Sequence, residues 1–347
     1  MRIIGLDLGN STFKGVEMSD DKGNIVLRRF GVYENTAISF NAEDDHSRKE
    51  YIAALRHFIS ESGFSVSDVV VSLPEDQVFT RVIQVPNMSP AELETSIQFE
   101  AEQYIPIPMS EVNFAFQVLE KDTQDTSKMN VLLVAAKLSI LNKYLDILKN
   151  AGLNPKGLEP GTLAIQRALF PSKEDTNAKI ILNITRESTH IVIVQRGGVR
   201  FTRSVPIGGE TFTKALQQSL KLDSKQASEY KKTYGMDPSQ VEGHVYGVLK
   251  PLIDNIVGEL NRAKIFYTSR NPGVNIDKVT ISGGSALMPG LLVYLTSVLD
   301  LEVVLANPWH SIQLSSRISE HKEYLLNNAP IFVTPIGLAL KVIKHNN

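Results

Sequence analysis

Two stretches of this chain open with the same device, and that repetition limits the fold more than any other feature. Arg2–Leu8, Phe13–Met18 and Ile25–Tyr33 read as three consecutive strands, and Lys179–Ile184, His190–Gln195 and Val199–Val205 read as three more. Tight turns join the last two strands of each set, Asp20-Asp21-Lys22-Gly23-Asn24 in the first and Arg196-Gly197-Gly198 in the second. Two halves that each begin with such a meander imply an internal duplication closing around a cleft. In α/β lobes of this kind ligands lie beyond the carboxyl ends of the strands.

The first hairpin carries chemistry. A strand ends at Asp7, and Gly9 lets the chain turn without a Cβ, so the N–H groups of Gly9, Asn10, Ser11 and Thr12 can point at an anion. Asp7 is placed to hold a magnesium ion through waters, and Lys14 returns on the next strand to neutralise phosphate charge. Taken alone, the same residues also describe a plain turn with a solvated Asp7.

Between the meanders, Arg48–Glu61 reads as a helix and Asp68–Leu73 and Val78–Val85 as strands. Ser89-Pro90-Ala91-Glu92 supplies a cap, a first-turn proline and an early acid for a helix through Tyr104. Strands Asn113–Leu119 and Asn130–Ala136 flank a polar loop over Lys121–Lys128, and helix Ser139–Ala151 ends at Gly152. After the second meander a helix-rich stretch runs from Glu210 to about Arg270. Strand Lys278–Ser282, a Gly-Gly turn, helix Met288–Leu299 and a final helix from about Pro335 complete the chain.

Composition narrows the classes. With 347 residues, 42% of them hydrophobic, the chain can bury a large core in two lobes. A net charge of −2 and the lack of a basic block with interleaved aromatics argue against nucleic acid. The absence of cysteine excludes disulfides and thiolate chemistry. No secretory signal opens the chain, and no apolar run approaches the roughly 18 residues of a membrane span, so a cytoplasmic location is expected.

Asp7-Leu8-Gly9 with Lys14, Glu159-Pro160 ahead of Leu163-Ala164, and Ser282-Gly283-Gly284-Ser285 through Gly290 resemble the nucleotide-binding signatures of the actin, DnaK-type chaperone and FtsA superfamily. Within it, the chain is similar to the PilM family, the cytoplasmic actin-like components of type IV pilus assembly. The resemblance rests on Val71–Pro74, Phe79–Arg81, Pro86–Met88, Arg203–Thr213, Ala227–Gly235 and above all Ile97-Gln98-Phe99-Glu100-Ala101-Glu102-Gln103-Tyr104-Ile105-Pro106.

That resemblance implies an α/β, actin-like ATPase (duplicated ribonuclease H-like) fold, with two lobes around a nucleotide cleft and a small α+β inserted subdomain. The first lobe is expected over 1–76 and 152–177, the insert over 77–151, and the second lobe over 178–347 with its helix-rich part at about 210–275. Carried over by position, Asp7, Gly9, Asn10, Ser11, Thr12 and Lys14 hold phosphate and magnesium of ATP or ADP. Gly283, Gly284 and Ser285 let adenosine lie against bare backbone, and Lys231 approaches the adenine and ribose, although the two glycines also suit an ordinary strand-to-helix turn and Lys231 a solvated helix lysine. Glu159 takes the place of a water-orienting side chain, although a Glu before Pro at a helix start also serves as a cap.

One departure bears on mechanism. Where the family carries Asp-x-Gly, the chain reads Asn183-Ile184-Thr185. Asn183 keeps an acceptor oxygen but loses the charge, and Thr185 puts a side chain where backbone approaches the γ-phosphate. Phosphoryl transfer depends on positioning and electrostatics, so hydrolysis is expected to be slow or absent. Arg186 offers a compensating phosphate contact, or is a surface turn residue.

The resemblance also implies the partner, the extended N-terminal cytoplasmic tail of a PilN-type inner-membrane protein, docked beside the insert. Phe79, Arg81, Ile97, Glu100, Ala101, Tyr104 and Ile105 are the candidate contacts, while the helical spacing of Ile97, Ala101 and Ile105 equally suits a core stripe. Other platform proteins or self-association are further partners to consider. With no amphipathic segment after the Gly337–Ile343 helix, direct membrane insertion is not expected, and membrane location comes through the partner. The alternatives are an active ATPase or an FtsA-like polymerising filament. A sugar kinase would need a catalytic aspartate for which the first lobe offers no candidate.

Overall fold

The computed structural model describes residues 1–10, 12–34, 44–121 and 127–343, so Ser11 lies outside the described residues. The chain forms two compact units, one comprising Met1–Gly23, Leu27–Ala164 and the chain from Leu338, the other Asn24–Val26 and Ile165–Gly337.

The first unit begins with β1 (Arg2–Leu8), β2 (Thr12–Asp21) and β3 (Asn24–Glu34). Helix α1 (Asp45–Glu61) follows, its first turn capped by the Asp44 carboxylate, which accepts the Ser47 N–H at 2.8 Å. Tyr51, Ala54, Leu55 and Phe58 recur at helical spacing on its buried face. Next come β4 (Asp68–Leu73), β5 (Val78–Pro86), α2 (Pro90–Glu102), β6 (Val112–Lys121), β7 (Lys128–Lys137), α3 (Leu138–Asn150), β8 (Asn154–Pro160) and α4 (Gly161–Leu169). Strands β3-β2-β1-β4-β8 are neighbours in one sheet, with β1–β2 antiparallel and β1–β4 and β4–β8 parallel. Ile4, Leu6 and Leu8 of β1 and Val69, Val71 and Leu73 of β4 face α1 and form the core with it.

The inserted segment builds a second, three-stranded antiparallel sheet in the order β5-β7-β6. Helix α2 covers it, started by the capping box of Ser89 and Glu92 with Pro90 at the first turn. This sheet has its own core of Ile83, Val85, Met129, Val131 and Leu133 beneath α2. Helix α3, although inside the same stretch of sequence, sends Tyr144, Ile147 and Leu148 into the core of the larger sheet.

The second unit carries β9 (Ala178–Ile184), β10 (Thr189–Gln195), β11 (Gly198–Val205), α5 (Gly209–Leu220), α6 (Ser224–Thr233), α7 (His244–Arg270), β12 (Ile276–Ser282), α8 (Leu291–Val298), β13 (Glu302–Leu305), β14 (Ile312–Leu314), α9 (Lys322–Asn327) and the start of α10 (Ala329–Ile343), whose residues from Leu338 on, Lys341 among them, belong to the first unit. Its sheet runs β11-β10-β9-β12-β13, matching β3-β2-β1-β4-β8 strand for strand. Every residue of β10 and all but Lys179 of β9 are buried, as expected of central strands covered on both faces.

Four elements differ from the sequence expectation. β8 is a strand although Pro155, Gly157 and Pro160 lower its propensity, because it lies at the edge beside β4 and leaves few ladder donors wanting. The last helix starts at Ala329 and carries Pro335 inside it; Phe332, Val333 and Ile336 are buried and stabilise it despite the lost hydrogen bond. Strands β13 and β14 lack a periodic signal of their own. Among the described residues no single helix is long and apolar enough to cross a membrane, although the bent pair Ser316–Asn327 and Ala329–Ile343 has the length and composition together.

Candidate nucleotide and partner sites

In the first unit, strand pairing gathers four polar residues into one row at the carboxyl end of β1. Lys14 pairs with Asp7, Ser72 stands beside Asp7 on β4, and Glu159 pairs with Ser72 on β8. The Ser72 hydroxyl donates to Asp7 Oδ1 at 2.7 Å, and Lys14 Nζ lies 3.6 Å from Asp7 Oδ2. Leu8 N–H donates to Ser72 Oγ at 3.3 Å, fixing the strand end. Both Asp7 and Lys14 keep part of their side-chain surface open, 25% and 19%.

The turn differs from the expected anion cradle at one point. Gly9 N–H donates to the Thr12 carbonyl at 2.9 Å and is spent inside the turn, while the buried Tyr51 hydroxyl donates to the Gly9 carbonyl at 3.2 Å. Burial above all, with nearby Tyr144 and Asp7, raises the Tyr51 phenol well above its ordinary range and keeps it a donor. Asn10 sits at the bend beside Gly9.

Glu159 is also placed differently. Its buried carboxylate accepts from Lys341 Nζ at 2.9 Å, and the lysine stem crosses over Gly157, where an added Cβ would come within 3.8 Å of Lys341 Cε. The expected water-orienting group is therefore committed to an ion pair with α10. Sequence reasoning missed Ser72, Lys341 and Glu75. The Glu75 carboxyl accepts the Thr162 N–H at the start of α4 at 2.6 Å, and burial pushes it up to about 7 against that hydrogen bond.

The second unit repeats the row. Ser204, His190, Asn183 and Ser282 stand side by side on β11, β10, β9 and β12. Ser282 Oγ donates to Asn183 Oδ1 at 3.1 Å. Asn183 thus occupies the place of Asp7, and His190 the place of Lys14. His190 was not singled out from sequence, because one histidine in an apolar strand carries no local signal.

After Asn183 the loop is closed by its own hydrogen bonds. The Thr185 hydroxyl accepts Ser188 N–H at 3.2 Å and donates to the Ser188 carbonyl at 2.8 Å. Gly209 and Glu210 N–H, at the start of α5, donate to the carbonyls of Thr185 and Arg186 at 3.0 and 2.7 Å. A Cβ on Gly208 would come within 2.6 Å of Ser188 N, so only glycine lets the loop lie this close. Arg186 is exposed and pairs with Glu210, the plain surface reading of that residue.

Lys231, Gly209 and Ser285 converge. Lys231 Nζ donates to the Gly209 carbonyl at 2.7 Å and to Thr213 Oγ1 at 2.8 Å. A Cβ on Gly209 would meet Ser285 Oγ at 2.8 Å and Lys231 Nζ at 3.4 Å. Gly283 adopts φ +87° against β9, where a Cβ would lie 2.4 Å from the Ile184 carbonyl oxygen. Gly284, by contrast, has nothing within 4 Å of such an atom, leaving bare, open backbone beside Ser285.

Each unit by itself offers groups suited to part of a nucleotide: the first a lysine beside a carboxylate at a strand end, the second bare glycine backbone with a lysine and a hydroxyl. For magnesium the fit is thinner. Among the described residues no group of three or more His, Cys, Asp or Glu side chains converges, so an ion would rest on Asp7 through waters and on the phosphates themselves.

On the three-stranded sheet, Arg81 is exposed and its guanidinium lies over the Tyr104 ring, 5.5 Å from the centroid. Phe79 and Glu100 are half-buried nearby in sequence on β5 and α2. Ile97, Ala101 and Ile105, three of the candidate contacts, are instead buried at 2%, 0% and 5% exposure. They form the underside of α2 and its end, because the apolar stripe must cover the sheet. Phe99, missed from sequence, is 73% exposed on the same helix.

Residues 5–343 match the family pattern described as type IV pilus assembly protein PilM. The solved PilM-PilN type IV pilus biogenesis complex contains a chain 26% identical to this one, with a TM-score of 0.84 and 99% of each chain covered. MreB 5 of Spiroplasma citri, solved bound to AMPPNP, is 13% identical with a TM-score of 0.53, covering 99% of this chain and 97% of its own. The cell division protein FtsA of Bacillus subtilis (strain 168) is 22% identical over 88% of this chain and 78% of its own. FtsA of Neisseria meningitidis serogroup B is 24% identical over 55% of this chain, which spans about half, 49%, of that protein. The fold is actin-like.

Proposed function

Because the chain belongs to the PilM family of type IV pilus assembly proteins, we propose that it is a nucleotide-binding scaffold that grips the N-terminal cytoplasmic tail of a PilN-type inner-membrane protein. The carrying observation is the likeness, over nearly the whole of both chains, to PilM from a complex with PilN. The exposed Arg81 stacked on Tyr104, with the half-buried Phe79 and Glu100 close by in sequence, gives an extended tail a polar and aromatic anchor. Location at the inner face of the cytoplasmic membrane then follows from the partner.

For ATP or ADP, the proposed phosphate contacts are Asp7, Lys14 and Thr12, and the proposed nucleoside contacts are Lys231, Gly283, Gly284 and Ser285. Bound nucleotide supplies a transferable phosphoryl group and, with magnesium, the charge that Lys14 offsets. Neutral Asn183 and the self-capped Thr185 support slow hydrolysis, since the second row lacks the carboxylate that would polarise a water. Nucleotide binding and tail binding are proposed to be linked, and such linkage is reciprocal.

Titration of a fluorescent tail peptide into the full chain, with and without magnesium-ATP, tests both parts. Saturable binding supports the scaffold, and a shift in affinity with ATP supports linkage. Absence of peptide binding overturns the partner reading, and phosphate release faster than about one per second would point to an active ATPase instead.

A further inference from the structure

The three-stranded sheet of the first unit ends in two unlike edges. On one side, β5 carries the exposed Arg81 and Gln84 and closes on Pro86, so a charge and a residue without an N–H blunt it. On the other side, β6 pairs only with β7 among the described residues, and its run Val112-Asn113-Phe114-Ala115-Phe116-Gln117-Val118-Leu119 contains neither charge nor proline. Phe114 and Phe116 are half-buried at this edge and Val118 is 46% exposed, while Asn113, Ala115 and Gln117 are exposed on the opposite face. The regular ladder runs to Val118, where the register shifts. An unblunted edge of this kind is a template for another strand.

The sequence of β6 is complementary to itself. Laid antiparallel to a second copy about a two-fold axis at Ala115, Val112 faces Val118, Phe114 faces Phe116 and Asn113 faces Gln117 of the other copy. Aliphatic meets aliphatic, aromatic meets aromatic and amide meets amide. Because the run is uncharged, no like charges oppose one another across the axis. The paired stretch from Val112 to Val118 is about 24 Å long at the rise of an antiparallel strand. One sheet edge of that length covers less than the roughly 1,200 Å² of a standard interface, which sets the expected dimer at the weak end of the range.

We propose that β6 pairs with β6 of a second copy of this chain, joining two three-stranded sheets into one continuous antiparallel sheet of six strands. Both copies use the same edge, so assembly closes at two chains and does not run on as a filament. Arg81, the proposed tail anchor, lies on β5 at the opposite edge, so each copy keeps its own tail site. A dimer therefore presents two tail sites on one body, and a membrane carrying many tails would hold it more tightly than a single chain.

Sedimentation equilibrium of the full chain over a range of concentrations tests this directly. The mass should rise toward two chains, with a dissociation constant on the order of 100 µM. Ala115→Lys and Ala115→Glu each set like charges face to face on the axis and should weaken association at least tenfold, whereas an equimolar mixture of the two should restore it. Because Ala115 is exposed, circular dichroism and the melting temperature of both variants should match the parent chain. A single-chain mass at several times the expected dissociation constant, undiminished association in either variant, or a mixture no tighter than its components overturns the proposal. Each of these results leaves the tail-peptide titration, and the reading it tests, untouched.

Discussion

Asp7 and Lys14 are register partners across the β1–β2 hairpin, with Lys14 Nζ 3.6 Å from Asp7 Oδ2. Asn183 and His190 hold the same two places in the β9–β10 hairpin, so the duplicated halves present different charge at the same strand end. The first half offers a cation held ready by a carboxylate, the second an uncharged pair.

Lys14→Met removes that cation and leaves Asp7 to repel phosphate. ATP affinity should fall at least tenfold, which is about 1.4 kcal/mol, while circular dichroism and the melting temperature stay close to the parent protein. Equal affinity in an equilibrium binding measurement would take Lys14 out of the phosphate site.

Gly283→Ala should damage the second unit directly. Its φ of +87° is a glycine conformation, and the added Cβ would lie 2.4 Å from a backbone oxygen of Ile184, which cannot swing aside. Backbone strain alone costs about 1–3 kcal/mol. Chemical denaturation should show at least that loss together with weaker nucleotide binding, whereas Gly284→Ala, into open space, should leave stability nearly unchanged.

Glu75 predicts a pH dependence of stability. Its folded-state value, raised to about 7 from 4.5, means the native protein binds more protons than the unfolded chain between those limits. The Glu75 contribution to stability should therefore fall as pH rises from about 4.5 to 7 and level off above, against an opposite contribution from buried His190, which is held down to about 4. Glu75→Gln keeps an acceptor for the Thr162 N–H and removes the buried charge. Denaturant melts should find the variant more stable than the parent at pH 8, by no more than on the order of 3 kcal/mol, with the difference between the two shrinking as pH falls from about 7 to 4.5.

Arg81→Glu and Ile97→Ala separate contact from support. Arg81 is exposed, so its reversal should weaken tail-peptide binding with little change in melting temperature. Ile97 is buried in the core under α2, so truncation should cost about 2–5 kcal/mol and affect the peptide only by loosening the subdomain. Calorimetry on both variants with and without peptide distinguishes the two effects.

Much of this architecture is written in local patterns. The period-2 strands, the glycine turns, the Ser89–Glu92 capping box and the run from Ile97 to Pro106 are each complete within a few residues, and they sufficed for the duplicated α/β fold and the family resemblance. The apolar spacing of Ile97, Ala101 and Ile105 was visible too, but periodicity says only that one side is greasy; packing against β5 and β7 decided that this side is core.

What tertiary structure alone decided are relations between residues far apart in the chain. Pairing of β4 with β1 and β8 puts Ser72 on Asp7, 65 positions away, and α10 brings Lys341 to Glu159 across 182. Pairing of β9 with β10 and β12 makes a row of Ser204, His190, Asn183 and Ser282. Side-chain type and local spacing carry no record of such neighbours, because strand order and register are set by burial of the whole sheet. The residue sequence thus determined which elements form and which family they belong to, and the fold determined which of their polar groups meet.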